Sequence, residues 1–283
     1  MTKLLLSAFA DEASAALSEQ IDALKANDIP YLEVRGVDGK NVSSLSLDEA
    51  KEAHNRLKAE GISVYSIGSP IGKVKLSDDF EREFARFTHT LEIAKIMEAE
   101  CIRMFSFFEV DTLNAKARDE VMIRLQRFSE EAKRAGILLC HENEKGIYGD
   151  TAERCLDILQ TVDGLKSVFD PANFIQCGVD TAKAWDLLKD TVHYLHIKDA
   201  LADGTVVPAG YGIGNLEAIT RDYIVRGGKV ATLEPHLHAF MGLSALSGED
   251  ADRILGSKRF ANGREAFDYA VKCYRDILDK VSV

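Results

Sequence analysis

Four side chains suited to holding a cation recur at the ends of four successive β-like runs. Glu142 closes "ILLCHE" (137–142), Asp170 closes "KSVFD" (166–170), His196 lies near the end of "VHYLHIK" (192–198) and Glu234 closes "KVATLE" (229–234). The gaps between them are 28, 26 and 38 residues, each about one strand, helix and loop. A carboxylate ending a buried apolar run is costly unless a cation or hydrogen bonds compensate it. Taken singly, each of the four reads equally well as a helix cap or a solvated loop group. Their joint recurrence asks for a common account. Three carboxylates and one imidazole gathered at one point would repel each other, whereas around a divalent cation they become its ligands. That mixed oxygen and nitrogen set suits Mn²⁺ first, with Mg²⁺, Co²⁺ and Zn²⁺ as alternatives, and leaves positions for two substrate oxygens.

The elements that must gather these residues alternate along the whole chain. Strand-like runs occupy 3–9, 31–35, 62–67, 101–107, 137–142, 166–170, 192–198 and 229–234, and helix-like segments lie near 15–27, 47–60, 78–99, 114–135, 151–162, 180–190, 215–226 and 262–281. Ser77 with Asp78, and Asp150 with Thr151, are expected caps, and Gly61 and Gly136 are expected stops. Eight strand–helix units in 283 residues predict the α/β class, as a single (β/α)8 TIM barrel forming one domain over 1–283. A doubly wound open sheet would show a glycine-rich turn after its first strand, and "SAFADEAS" has no glycine. In a closed barrel the four strand ends are neighbours on one rim, the C-terminal mouth where such folds place their chemistry.

A net charge of −11 argues against nucleic acid, whose phosphates would be repelled. The five cysteines, at 101, 140, 155, 177 and 273, form no close pairs and read as reduced thiols of a cytoplasmic protein. The N-terminal "MTKLLLSAFADE" is too short in its apolar stretch, and too soon interrupted by Ser7, Asp11 and Glu12, to read as a secretion signal. No run approaches the ~18 apolar residues of a membrane span. Pairing into a homodimer through barrel helices is compatible with this architecture, although no seam is legible.

The residues also resemble a known family, the xylose-isomerase-like TIM barrels, in particular the sugar phosphate isomerase/epimerase branch with its ketose 3-epimerases, hydroxypyruvate isomerase and inosose dehydratase. The resemblance spans essentially the whole chain and rests on "HEN" (141–143), "FDPAN" (169–173), "HIKDA" (196–200) and "LEPH" (233–236). It implies that Glu142, Asp170, His196 and Glu234 bind one divalent metal and that Glu142 and Glu234 double as catalytic acid and base. Many relatives carry a histidine where this chain has Asn173. The multi-zinc cluster of the related endonuclease IV proteins is therefore not expected.

A metal so held chelates a carbonyl oxygen and the adjacent hydroxyl of a small sugar or sugar phosphate and stabilises an enediolate. Two glutamates acting at one carbon from opposite faces give epimerisation, and one shuttling a proton between carbons gives isomerisation. Rivals are a metal-dependent dehydratase of a cyclic polyol and a sugar-binding barrel without activity. Candidates for substrate contact are Lys198, which alternatively pairs with Glu142; Glu33, which alternatively pairs with Arg35; and Asn173, His236 and Lys73. Lys73 lies in a Gly/Pro-containing loop (67–79) that reads as a lid or a turn. Gly210, Gly212 and Gly214, just before the seventh helix, offer amides to a phosphate or form an ordinary flexible loop. Arg103 and Phe105 read as inward or helix-facing alike.

Overall fold

The computed structural model describes residues 4–239 and 260–281. Eight strands, β1 (Leu5–Ala8), β2 (Tyr31–Val34), β3 (Ser63–Gly68), β4 (Cys101–Met104), β5 (Leu138–Glu142), β6 (Leu165–Phe169), β7 (Val192–Ile197) and β8 (Val230–Leu233), close into a barrel. Each strand pairs in parallel with its neighbours in sequence, and β1 pairs with β8. Around it lie α1 (Leu17–Ala26), α2 (Leu47–Ala59), α3 (Phe80–Ile96), α4 (Ala115–Ala135), α5 (Ala152–Thr161), α6 (Pro171–Gln176), α7 (Thr181–Leu188), α8 (Leu216–Val225) and α9 (Gly263–Val281). This is the (β/α)8 barrel that the alternation of runs predicts. Segment 240–259, between β8 and α9, lies outside the described residues. No helix among the described residues is long and apolar enough to cross a membrane.

Local sequence sets the helix ends. Ser46 and Glu49 form a reciprocal capping box on α2, Thr151 caps α5, and Gly136 ends α4 with φ of 74°. The cap of α3 is Asp79, one or two residues later than the expected Ser77 and Asp78, because its carboxylate reaches the amides of Glu81 and Arg82. The main apolar core lies between strands and helices, where Leu32, Ile67, Ile102, Leu139, Phe169 and Leu195 meet the inner helix faces.

Two irregularities shape the barrel interior. In β3 an extra residue, Tyr65, breaks the register with β2, and in β7 an extra residue, His193, breaks it with β6. Such bulges turn a side chain out of the regular alternation. Strands β3 and β7 stand opposite each other in the ring. Their extra rings stack across the barrel's N-terminal end, 6.2 Å apart at 10°.

Candidate metal centre

The barrel brings the four strand-end groups together. Glu142, Asp170, His196 and Glu234 each place a ligand atom within 4.8 Å of the others'. All four are buried, His196 and Asp170 completely. His196 Nδ1 stands 3.0 Å from Glu142 Oε1 and 3.2 Å from Glu234 Oε2, so the two glutamates flank one ring nitrogen. The other nitrogen, Nε2, is 3.2 Å from Glu33 Oε2.

Neighbouring side chains hold these groups in place. Asp170 caps α6, accepting from the Asn173 amide at 2.9 Å, with Pro171 opening the helix. Asn143 exchanges two hydrogen bonds with the Asp170 backbone, at 2.9 and 3.0 Å, and so fastens the end of β5 to that of β6. Asn173 Nδ2 donates to Glu142 Oε1 at 3.2 Å and to the Asn143 carbonyl at 2.9 Å. Its amide therefore positions Glu142 in addition to any contact with a ligand.

The other expected contact residues fall into two groups. Lys198 Nζ lies 2.9 Å from Asp170 Oδ2 and 3.2 Å from Glu234 Oε2, so its partners are these two carboxylates in place of the expected Glu142. His236 Nε2 sits 3.3 Å from Glu234 Oε1, beside the mouth. Glu33, by contrast, lies beneath the four: one oxygen accepts from Tyr194 Oη at 2.9 Å and the other faces His196. It is completely buried, and its partners are side chains of the barrel interior. Lys73 forms an ion pair of 2.8 Å with Glu144 and lies 4.2 Å from the centre of the Phe105 ring.

The lid reading of the Lys73 loop gives way to a pinned edge. The amides of Phe105, Phe107 and Phe108 donate to the carbonyls of Ile71, Gly72 and Val74, and the Gly72 amide donates to Glu83 at 2.8 Å. A Cβ at Gly72 would meet the Phe105 carbonyl oxygen at 2.1 Å, so only glycine admits this close approach. These bonds also explain why β4 stops at Met104 and not at 107: the chain beyond it pairs with the loop.

The phosphate reading of the glycine run is likewise corrected. The amides of Gly210, Gly212 and Gly214, with that of Ala200, all donate to the Asp199 carboxylate at 2.9–3.0 Å. The chain supplies its own anion there.

The sequence does not reveal how two buried arginines are wired. Arg103, left unassigned, points inward: its Nε is 3.2 Å from Glu142 Oε2 and 3.9 Å from Glu33 Oε1. Arg35 grips Asp11 through two bonds of 2.9 and 3.0 Å and reaches Glu12 at 3.2 Å and Glu234 at 3.3 Å. Phe9 lies between, its ring centre 4.5 Å from Arg35 Cζ and 5.3 Å from that of His196, which it meets edge to face at 80°. The only signal for Asp11 and Glu12 was their position just after the first strand, and for Arg103 a charge inside an otherwise apolar run.

The charge balance tests whether a divalent ion suits this site. Among the described residues, and with the Lys73–Glu144 pair set aside, six buried acids, Asp11, Glu12, Glu33, Glu142, Asp170 and Glu234, face three buried bases, Arg35, Arg103 and Lys198. Without an ion, protons make up the difference. Burial pushes Glu12 up to about 8 although Arg35 opposes it, and pushes Asp170 up to about 7 against Lys198. Burial disfavours a charged His196, yet Glu142 and Glu33 outweigh it and hold the ring protonated well above its usual range. Burial raises Glu33 too, but His196 and Arg103 prevail and keep it ionised below the ordinary carboxylate range. A dication replaces retained protons with its own charge, and the donor types match hard or borderline divalent metals. The residues therefore fit such an ion: Glu142, Asp170 and Glu234 offer oxygens, and His196 offers Nδ1 while Glu33 fixes a proton on Nε2.

The family model for xylose isomerase-like TIM barrels matches residues 21–223. The chain belongs to this family. Among solved structures, one called a D-tagatose 3-epimerase-like protein superposes with a TM-score of 0.74 at 14% identity, covering 99% of this chain and 98% of that one. The IolI protein with a bound zinc atom gives 0.73 at 16% identity, over 98% of this chain and 99% of the other. The "probable 3-DHS dehydratase AsbF" of Bacillus anthracis also gives 0.73 at 16%, over 97% and 99%. At these identities the likeness shows a common fold. No curated protein matches the chain by sequence.

Proposed function

We propose that the chain is one barrel domain that isomerises or epimerises a small sugar or sugar phosphate with the help of one divalent ion, Mn²⁺ by preference, held by Glu142, Asp170, His196 and Glu234. The observation that carries this reading is the placement of two glutamates on either side of the same ring nitrogen, at 3.0 and 3.2 Å, in a buried, charge-rich mouth. The ion, when bound, supplies Lewis acidity toward a carbonyl oxygen. The acid–base work belongs to the chain. Glu142 and Glu234, on strands three apart in the ring, approach the site from different sides, so one accepts a carbon-bound proton while the other returns it. Lys198 Nζ, between Asp170 and Glu234, is placed to donate to an oxygen that gains negative charge as the enediolate forms. Arg103 and Asn173 hold the Glu142 carboxylate in one orientation, and the Phe9 and Phe105 rings line the cations and limit water.

Family membership and the fold shared with an epimerase-like protein support this reading. The test is solvent deuterium incorporation into a panel of ketoses and ketose phosphates with saturating Mn²⁺. Exchange at a carbon next to the carbonyl, with product of unchanged mass apart from the label, is the expected result. A product lighter by one water would replace the isomerase reading with the dehydratase one. Absence of exchange in every compound, with no ion-induced rise in melting temperature, would leave a barrel without this activity.

A further inference from the structure

The opposite end of the barrel carries a second group of donors. Cys101 opens β4, Cys140 is the third residue of β5 and His193 is the extra residue of β7, and their ligand atoms lie within 4.8 Å of one another. Arg103 is the register partner of Cys140, so Cys101 sits one pleat below it on the same inner face. Both cysteines are completely buried, among Tyr65, Val168, Tyr194 and Val230.

A buried cysteine pair by itself is ordinary core, since thiols pack as small apolar groups. The imidazole is what needs explaining. The bulge carries His193 out of the regular alternation and stacks it on Tyr65, and its buried Nε2 makes no hydrogen bond although Glu100 Oε1 is 3.3 Å away. An imidazole brought by a bulge to two buried thiols, with its Nε2 facing a carboxylate but without hydrogen-bond geometry, is more than apolar packing requires. A cavity of about 460 Å³ at this end reaches His193, Tyr65, Tyr31 and Glu100, and the two cysteines lie behind that lining.

We propose that Cys101, Cys140 and His193 form a site for one thiophilic divalent cation of the zinc class, with the Glu100 carboxylate completing four donors. Two sulfurs, an imidazole nitrogen and a carboxylate oxygen are a tetrahedral zinc set, unlike the oxygen-rich mouth. Binding expels the two thiol protons and leaves two thiolates and Glu100 against the dication. Lys166 and Lys229, close enough to act on His193 electrostatically, offset the remaining negative charge. The ion would join β4, β5 and β7 at the floor of the barrel and so act as a structural clasp. This site does not depend on the proposed reaction.

The test is a Co²⁺ titration of the reduced full chain, with excess Mg²⁺ to occupy the oxygen donors of the mouth. The expected result is a sulfur-to-cobalt charge-transfer band with tetrahedral visible bands, saturating at one equivalent and lost in Cys101→Ser and in Cys140→Ser. None of the four proposed ligands at the mouth carries sulfur, so that set cannot produce the band. Cd²⁺ should raise the melting temperature of the unaltered chain and not of these variants. If a serine variant fails to fold, His193→Asn, at the solvent edge, provides the readout and weakens Co²⁺ binding by at least about tenfold. Absence of the thiolate band in the unaltered chain would overturn the proposal, as would a band that persists in both serine variants.

Discussion

Strands β4, β5 and β7 each contribute to both ends of the barrel, Cys101 and Arg103 on one, Cys140 and Glu142 on the next, His193 and His196 on the third. On β4 and β5 a step of two residues, about 7 Å, keeps a side chain on the same face and exchanges sulfur for charged nitrogen or oxygen, whereas on β7 the bulge at His193 makes the step three, from one imidazole to another. At the floor the donors sit among tyrosine rings and valines. At the mouth every carboxylate meets a cation or an amide, and Glu33 and Tyr194 form the layer between the two ends. The difference shows how one scaffold separates two kinds of site. The mouth is charge-rich and its side chains are held by mutual bonds before any ligand arrives, which is how a site for charge development is prepared. The sulfur pair of the floor is different, because burial holds the Cys140 thiol protonated far above its usual range until a cation displaces the proton.

The sharpest way to separate the two ends is through the glutamates. Glu142→Gln or Glu234→Gln should lower exchange of the substrate's carbon-bound proton by about 10²–10⁴, measured by deuterium incorporation, while cobalt binding at the floor is unaffected. Next in size is Glu33→Gln, which removes the partner of His196 Nε2. It should weaken Mn²⁺ binding at the mouth by about 10–100-fold in a calorimetric titration, again without altering the floor. A smaller effect is expected from pH. Glu12 and Asp170 have folded-state values raised to about 8 and about 7, so the stability they contribute is complete below pH 4 and is lost as pH rises through 7 and 8. The ion-free chain should therefore unfold at lower urea concentration at pH 9 than at pH 6, and saturating Mn²⁺ should reduce that loss. Stability that climbs over this range without ion would contradict the charge balance described above. The smallest effect is that of Cys140→Ser on the mouth, where Mn²⁺ affinity and exchange rate should not change.

Much of this arrangement was legible in the sequence because the hydrophobic runs are short, evenly spaced and separated by well-capped helices. All eight strands and the main helices fall where the runs predict them. The six-residue α6 escaped notice because it begins at the motif aspartate itself, and so did the two-residue hairpins pairing Gly36–Val37 with Lys40–Asn41 and Asp199–Ala200 with Val206–Val207. Arg103 could not be oriented, since all four residues of β4 are buried and its pattern has no inside or outside. The bulges at Tyr65 and His193 shift the alternation by one residue without any composition signal, which hid the floor cluster. The glycine run illustrates a further limit. Its amides do bind an anion, as their spacing suggested, but the anion is Asp199 from the chain itself.

The central claim is that Glu142, Asp170, His196 and Glu234 hold one divalent ion at the mouth, and anomalous diffraction from crystals soaked in Mn²⁺ tests it most directly. The account predicts a single strong peak bounded by the three carboxylates and His196 Nδ1, with Glu33 still on Nε2. A mouth without such a peak, in which Arg103 and Lys198 keep the carboxylates to themselves at full Mn²⁺ saturation, would contradict it.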